Sequence, residues 1–169
     1  MANIFRKQYD VKLPRERTEA HEFPVAAGLV ICPRCGAVYH KKSWRAGLEK
    51  LKLPERDYPV KFALCPACRM IKSGQYEGRV TVKNVPLKER DLLVHLVEAY
   101  CRRAEDRDPM DRLIKIGGRV DSLEILLTEN QLANKLAKKI KDAFNKVGAR
   151  ISHAAAPGDV ITITVTFGK

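Results

Sequence analysis

No part of the 169-residue sequence is apolar for long enough to cross a bilayer; the longest apolar-rich stretches lie near Phe23–Cys32 and Asp91–Cys101. The opening segment, Met1 to Arg17, is polar and lacks the apolar core of a signal peptide, so the expected location is cytoplasmic, with no membrane partner. Nucleotide and acyl-transfer signatures are also missing, with neither G-x-x-x-x-G-K nor G-x-S-x-G in the chain. Histidine is scarce, and His21, His40, His95 and His153 show no metal or triad spacing. The only dense acidic group, Asp106, Asp108 and Asp111, sits in a turn and reads as capping that turn rather than holding a catalytic metal. These absences point away from an enzyme and from a small-molecule substrate. No helix-turn-helix pattern announces base-specific DNA readout. Aromatic residues are 7% of the chain and Trp44 is its sole tryptophan, yet apolar residues reach 45%, enough for a packed core.

Acidic residues are the next deficit: 20 Asp and Glu face 32 Lys and Arg, for a net charge of +12. The imbalance is uneven. Residues 34–83 carry twelve basic and four acidic side chains, and residues 131–169 seven and two, whereas 85–130 has eight and ten. Two separated positive blocks are the footprint of a surface facing a polyanion, most often nucleic acid. A basic soluble protein without such a partner is the plainer alternative.

Five cysteines in a cytoplasmic chain read as thiols or metal ligands rather than disulfides. Four of them form two C-P-x-C pairs, Cys32-Pro33-Arg34-Cys35-Gly36 and Cys65-Pro66-Ala67-Cys68-Arg69. Two intervening residues turn both sulfurs of a pair to one side, and Gly36 tolerates the positive φ that closes the turn. Two such knuckles supply four thiolates to one tetrahedral zinc ion, a closed structural site without room for an activated water. His40 is a spare ligand that four cysteines make unnecessary. The stretch between the pairs is long for a zinc ribbon, and Tyr39–Leu51 within it reads as a short basic helix or helical turn.

The expected organisation is a flexible basic arm over 1–22, a zinc ribbon with a basic insertion over 23–75, and an α+β domain over 76–169. The arm either orders on a partner or is a frayed terminus. Gln75–Lys83 alternates as a strand. Pro86 opens a helix with a stripe of Leu92, Leu93, Leu96, Val97 and Tyr100, flanked by Val94 and a core Cys101, while His95 faces solvent. Arg112–Ile116 and Val120–Leu127 pair as a hairpin about Gly117-Gly118. Thr128 and Gln131 form a capping box for a helix whose buried face is Leu132, Leu136, Ile140, Ala143, Phe144 and Val147, with Gly148 as its stop. Arg150–His153, a turn at Pro157-Gly158 and Val160–Phe167 close the chain. This β-α-β-β-α-β order with one further strand predicts a ferredoxin-like (split βαβ) antiparallel sheet with two helices on one face. A KH-like arrangement is the alternative.

Candidate polyanion contacts lie on both basic blocks. Arg34, Lys41, Lys42, Arg45, Lys61, Arg69, Lys72 and Arg79 surround the knuckles, and Lys135, Lys138, Lys139 and Lys146 project from the second helix opposite its apolar stripe. Trp44, between Lys42 and Arg45, has two readings: a ring that stacks on a base, or a cap on the ribbon's small core.

The order of these motifs resembles the N-terminal half of the archaeal and eukaryotic adaptor family for maturation and export of the large ribosomal subunit, named after nonsense-mediated decay. Members have C-x-x-C zinc ribbons followed by a segment similar to Ser73-Gly74-Gln75-Tyr76-Glu77-Gly78-Arg79-Val80-Thr81-Val82. An aspartate-containing strand then runs into a Leu/Ala/Lys-rich helix, as in Val120–Leu127, Asn130–Val147 and Gly148-Ala149-Arg150, before a threonine-containing strand like Ile161-Thr162-Ile163-Thr164-Val165. The likeness covers roughly residues 28–167. The family carries more C-x-x-C pairs, a further β-rich domain and export signals, none of which this sequence contains, so nuclear export is not implied. The resemblance implies a short prokaryotic relative that binds ribosomal RNA or the large subunit. The expected function is a non-enzymatic, zinc-dependent RNA-binding factor in ribosome assembly, quality control or dormancy. A zinc-ribbon protein-interaction module in transcription or signalling is the competing expectation.

Overall fold

The computed structural model describes residues 28–52, 58–145, 147–153 and 160–168. The arm over 1–22, Lys146 and the Pro157-Gly158 turn lie outside them. The described residues form an α+β structure with two sheets and three α-helices. None of the described helices is long and apolar enough to cross a membrane.

Around the cysteines, β1 (Leu29–Ile31), β2 (Val38–His40), β3 (Ser43–Arg45) and β4 (Val60–Phe62) form a sheet in the order β3-β2-β1-β4. The segment expected as a basic helix is instead the β2–β3 hairpin. Tyr39 pairs with Trp44 and Val38 with Arg45, bulky residues suited to a pleated surface. Lys41 and Lys42 take φ of 48° and 66° at its tip, the left-handed pair that lets a two-residue loop follow strand twist. The second knuckle runs into a helix that the sequence pattern did not announce, α1 (Pro66–Ser73). Its signals are local: Cys65 is the N-cap, its sulfur accepting from the Cys68 amide at 3.4 Å. Pro66 occupies the first turn, and Gly74 at φ 70° ends the helix.

The remaining chain builds β5 (Gly78–Lys83), a 3₁₀ turn (Leu87–Glu89), α2 (Arg90–Arg107), β6 (Leu113–Arg119), β7 (Ser122–Leu127), α3 (Asn130–Ala143), β8 (Val147–His153) and β9 (Ile161–Phe167). The strand order is β6-β7-β5-β9-β8. The sheet is mixed, not antiparallel as expected, because β9 inserts beside β5 and runs parallel to it, Val80 opposite Ile163 and Val82 opposite Val165. Both helices pack on one face, over Val80, Val82, Leu123, Ile125, Leu127, Ile163 and Val165. Burying each such side chain contributes about 1.5–3 kcal/mol before entropy is set against it.

Several local expectations change. On α2 the buried stripe is Leu93, Val97, Cys101 and Ala104, and Leu92 is 61% exposed, because one ridge of that helix meets α3 and the sheet. Cys101 is indeed a core residue and His95 faces solvent. The β6–β7 hairpin turns at Val120-Asp121, with Gly117 and Gly118 inside β6. Gly118 has φ 124°, and a Cβ there would lie 2.3 Å from the Ser122 carbonyl oxygen, so glycine serves the strand rather than the turn. Thr128 does not cap α3; its N-cap is Glu129, without a side-chain bond. Thr128 is buried instead, its hydroxyl donating to the Met110 carbonyl at 2.6 Å and accepting from the Arg112 amide at 2.8 Å. The helix ends at Ala143, which is exposed, and the chain enters β8 with Val147 paired to Phe167, so Gly148 stops nothing. The buried face of α3 is Leu132, Ala133, Leu136, Ala137 and Ile140.

Candidate metal centre and basic surfaces

Cys32 and Cys35 lie on the turn between β1 and β2, and Cys65 and Cys68 at the start of α1. Each knuckle closes on backbone hydrogen bonds: the Gly36 amide donates to the Cys32 carbonyl at 2.9 Å and the Arg69 amide to the Cys65 carbonyl at 3.0 Å. The two knuckles converge, since β4 runs parallel to β1, with Phe62 opposite Ile31 and the Ala63 amide donating to the Ile31 carbonyl at 3.1 Å, so both knuckles leave the same end of the sheet. All four Sγ atoms lie within 4.8 Å of one another, and Cys35 Sγ is 3.7 Å from Cys65 Sγ. That is far beyond a disulfide bond of about 2.05 Å. It matches the edge of a sulfur tetrahedron about a zinc ion, about 3.8 Å for metal–sulfur bonds of about 2.3 Å. The residues therefore fit one structural metal ion.

Electrostatics favours the same conclusion. Burial pushes Cys65 well above the ordinary thiol range and Cys68 up to about 11. Cys32 goes the other way: burial opposes its ionisation, but amide hydrogen bonds from Cys65, Cys35 and Arg34 hold it down to about 6. One thiolate is welcome in this pocket and a second or third is not, unless a cation absorbs the charge. His40 is outside the cluster, its ring edge-on to Tyr58 at 6.4 Å.

Residues of the α+β unit complete the surroundings. Met110 packs on the cysteine cluster and Arg112 Nη1 lies 3.9 Å from Cys68 Sγ. Arg112 also pairs with Glu105 at 3.1 Å and donates to the Pro109 carbonyl. Lys50 Nζ reaches the Asp106 carbonyl at 3.0 Å. Of the acidic turn, Asp108 accepts from the Met110 amide at 2.9 Å, which is the capping role expected. Burial, with Asp108 repelling, raises the Asp111 carboxyl. Nothing in the sequence marks Met110 or Arg112 as neighbours of the cysteines, because forty residues and three elements separate them along the chain.

The basic residues divide among three places. Arg34, Lys41, Lys42, Arg45 and Lys61 are exposed on the ribbon; on α1, Lys72 is exposed and Arg69 half-buried. Lys135, Lys138 and Lys139 are exposed on the outer side of α3, across the α+β unit from the sheet face opposite the helices. Trp44 is half-buried: it packs against the cysteine cluster with its ring 5.4 Å from Tyr39, and it also lines a cleft towards the α+β unit.

Arg79 belongs to the third place. The sheet face opposite α2 and α3 is covered by no described helix, and the pairing register aligns its side chains in rows. Lys115, Leu126, Arg79 and Thr162 form one row; Gly117, Glu124, Thr81, Thr164 and Arg150 the next; Arg119, Ser122, Lys83, Thr166 and Gly148 the last. Five cations thus share this face with one acid. Glu124 is engaged by Arg79, whose Nε lies 3.3 Å away, close enough for an ion pair though not aligned as a hydrogen bond. Arg79 also bonds the Tyr76 hydroxyl and lies 4.9 Å over its ring. Lys83, Lys115, Arg119 and Arg150 were not among the candidates from sequence; strict alternation in β5, β6 and β8 was the signal that would have placed them together.

No protein-family profile, curated protein or solved structure matches this chain.

Proposed function

We propose that this protein is a non-enzymatic RNA-binding factor, organised by one structural zinc ion, that associates with the ribosome through its large subunit. The observation that carries the reading is the sheet face that no described helix covers, where, among the described residues, five cations and a threonine row face outward against one acid. Lysine and arginine neutralise phosphates, and threonine hydroxyls bond their oxygens. Zinc is the metal chosen because four thiolates in a tetrahedron suit it, and it folds a small domain without performing chemistry. The α+β unit reads as a ferredoxin-like plan with one insertion. Strands β5 to β8 keep the directions and neighbours of a split βαβ unit, apart from β9 wedged between β5 and β8. The motif order shared with the large-subunit adaptor family supplies the ribosome.

Gradient sedimentation of cell extract tests it. At low salt the protein is expected with large-subunit particles, and charge reversal at Lys41, Lys42 and Arg45 is expected to weaken that association more than reversal at Glu98 or Glu105. Recovery in the light fractions alone would overturn the ribosome assignment.

A second reading, a protein-interaction module, is favoured by one feature. Among the described strands β4 is a sheet edge that exposes Phe62 by 71% and Val60 by 46%, a place where a partner strand can add. A pull-down that survives nuclease treatment and is lost in Phe62→Lys would favour this reading.

A further inference from the structure

Between the ribbon and the α+β unit lies a cleft of about 690 Å³, a volume typical of small-ligand sites. The ribbon supplies one wall, Trp44 from β3 with Pro66, Ala67 and Met70 from α1; Tyr76 and Met110 stand among the residues opposite. Its polar groups are out of character for so cationic a chain. No lysine or arginine is among the described residues that line it, whereas Glu77 and Glu129 are.

Both acids are held by backbone. Glu77 precedes β5, its amide donating to the Leu127 carbonyl at 3.2 Å and its carbonyl accepting from Ile161 at 2.8 Å. Glu129 precedes α3, which approaches β5 so closely that a Cβ on Gly78 would lie 2.8 Å from the Glu129 carbonyl oxygen. Both residues line the cleft, close enough for the Glu77 charge to act on Glu129. Burial, together with repulsion from Glu77, pushes Glu129 up to about 7.

Aromatic and thioether walls suit a flat ring, and the carboxyls repel phosphate while accepting N–H donors. The pairing edges of the four RNA bases differ in what they offer. Adenine has one donor beside one acceptor, cytosine one donor beside two acceptors, and uracil one donor between two acceptors. Guanine alone presents two adjacent donors, N1–H and N2–H, which two acceptor carboxyls can share. Cations stand beside cleft residues along the chain: Arg69 and Lys72 flank Met70 on α1, and Arg79 follows Tyr76 by three residues.

We infer that this cleft is a guanine pocket, in which a base from a bound single strand stacks against Trp44 and donates N1–H and N2–H to Glu77 and Glu129. The inference rests on the RNA-binding reading above and adds base selectivity to a surface that otherwise grips phosphate. It also ties selectivity to the metal, because the wall from Pro66 to Met70 begins at Cys65 and contains Cys68.

Trp44 is the only tryptophan, so its emission reports on the cleft alone. The full-length, zinc-loaded protein is titrated with GMP, AMP, CMP and UMP. In a second arm it is titrated with end-labelled oligouridine carrying either one guanosine or none. GMP and the guanosine-containing strand quench Trp44 saturably, and that strand binds about tenfold tighter than oligouridine, the scale of one good base contact. Glu77→Gln and Glu129→Gln, checked for native circular-dichroism spectra, lose that preference yet still bind oligouridine. If labelled RNA binds while Trp44 emission stays constant, or the preference survives both substitutions, the pocket is wrong and the RNA-binding reading stands. If no RNA binds, that reading falls and the mononucleotide arm decides the pocket. Selective quenching by GMP then sustains it, and equal or absent quenching by all four overturns it.

Discussion

Replacing Cys32, Cys35, Cys65 or Cys68 by serine removes one of four ligands from a shell in which every sulfur is within 4.8 Å of the others. Elemental analysis of purified protein should find about one zinc per chain in the parent and a large loss in each serine variant. Cys101→Ser should keep its zinc. That thiol sits in the main core, where burial and then repulsion from Asp111 push it up to about 12. The substitution costs stability instead, about 1–3 kcal/mol for a buried hydroxyl left without a partner. Equal zinc loss in all five variants would contradict the assignment. The two C-P-x-C pairs made this division readable from the sequence, since ligand spacing is local. Thr128 was not readable: its pairing with Met110 and Arg112 depends on how β7 ends against another segment.

Glu129 gives a second residue-scale test, and the sign is opposite to that of a salt-bridged acid. Its carboxyl rises from 4.5 to about 7 on folding, chiefly through burial. The folded state therefore holds the proton more tightly, and its stability declines as pH rises from about 4.5 through 7. Glu129→Gln removes that penalty. The variant's melting temperature is expected to exceed the parent's at pH 8 and to match it near pH 4.5. A pH-independent difference would show that the carboxyl is not perturbed.

At the scale of elements, β8 and β9 show what a pattern can and cannot say. The alternation Ile161, Ile163, Val165, Phe167 identified the core face of β9, and the last three of these are buried. Its position did not follow from chain order, which would leave the last strand at the edge. Composition bears on the exchange: the alternate positions of β9 are Ile161, Ile163, Val165 and Phe167, whereas the positions of β8 paired with them are His153, Ile151, Ala149 and Val147. The richer strand takes the interior beside β5. The β2–β3 hairpin makes the complementary point. Its lysine-rich sequence reads as helical, but pairing Tyr39 with Trp44 beside the cysteines outweighs local propensity.

The sheet face predicts an element-scale asymmetry. Lys83→Glu with Arg150→Glu reverses two outward cations on β5 and β8, and should weaken RNA binding by about tenfold or more. Arg102→Glu with Arg103→Glu makes the same charge change on the exposed side of α2 and should have a much smaller effect. Fluorescence anisotropy with one labelled RNA compares them. Equal losses would mean that net charge, not this face, governs binding.

For the whole molecule, the ribbon and the α+β unit are joined through Met110, Arg112 and Lys50. Metal loss therefore disturbs a shared boundary as well as the ribbon. Net charge of +12 was plain from composition, but its arrangement into a ribbon surface, a sheet face and the outer side of α3 needed the fold. The most direct test of a zinc-organised RNA binder is its affinity for a large-subunit ribosomal RNA fragment across a salt series, zinc-loaded and after chelation. About five phosphate contacts give a slope of log affinity against log salt near −3.5, taking about −0.7 for each contact with a single strand. The account predicts a slope at least about that steep for the loaded protein, and clearly weaker binding after chelation. A flat salt dependence, or affinity unchanged by removing the metal, would contradict it.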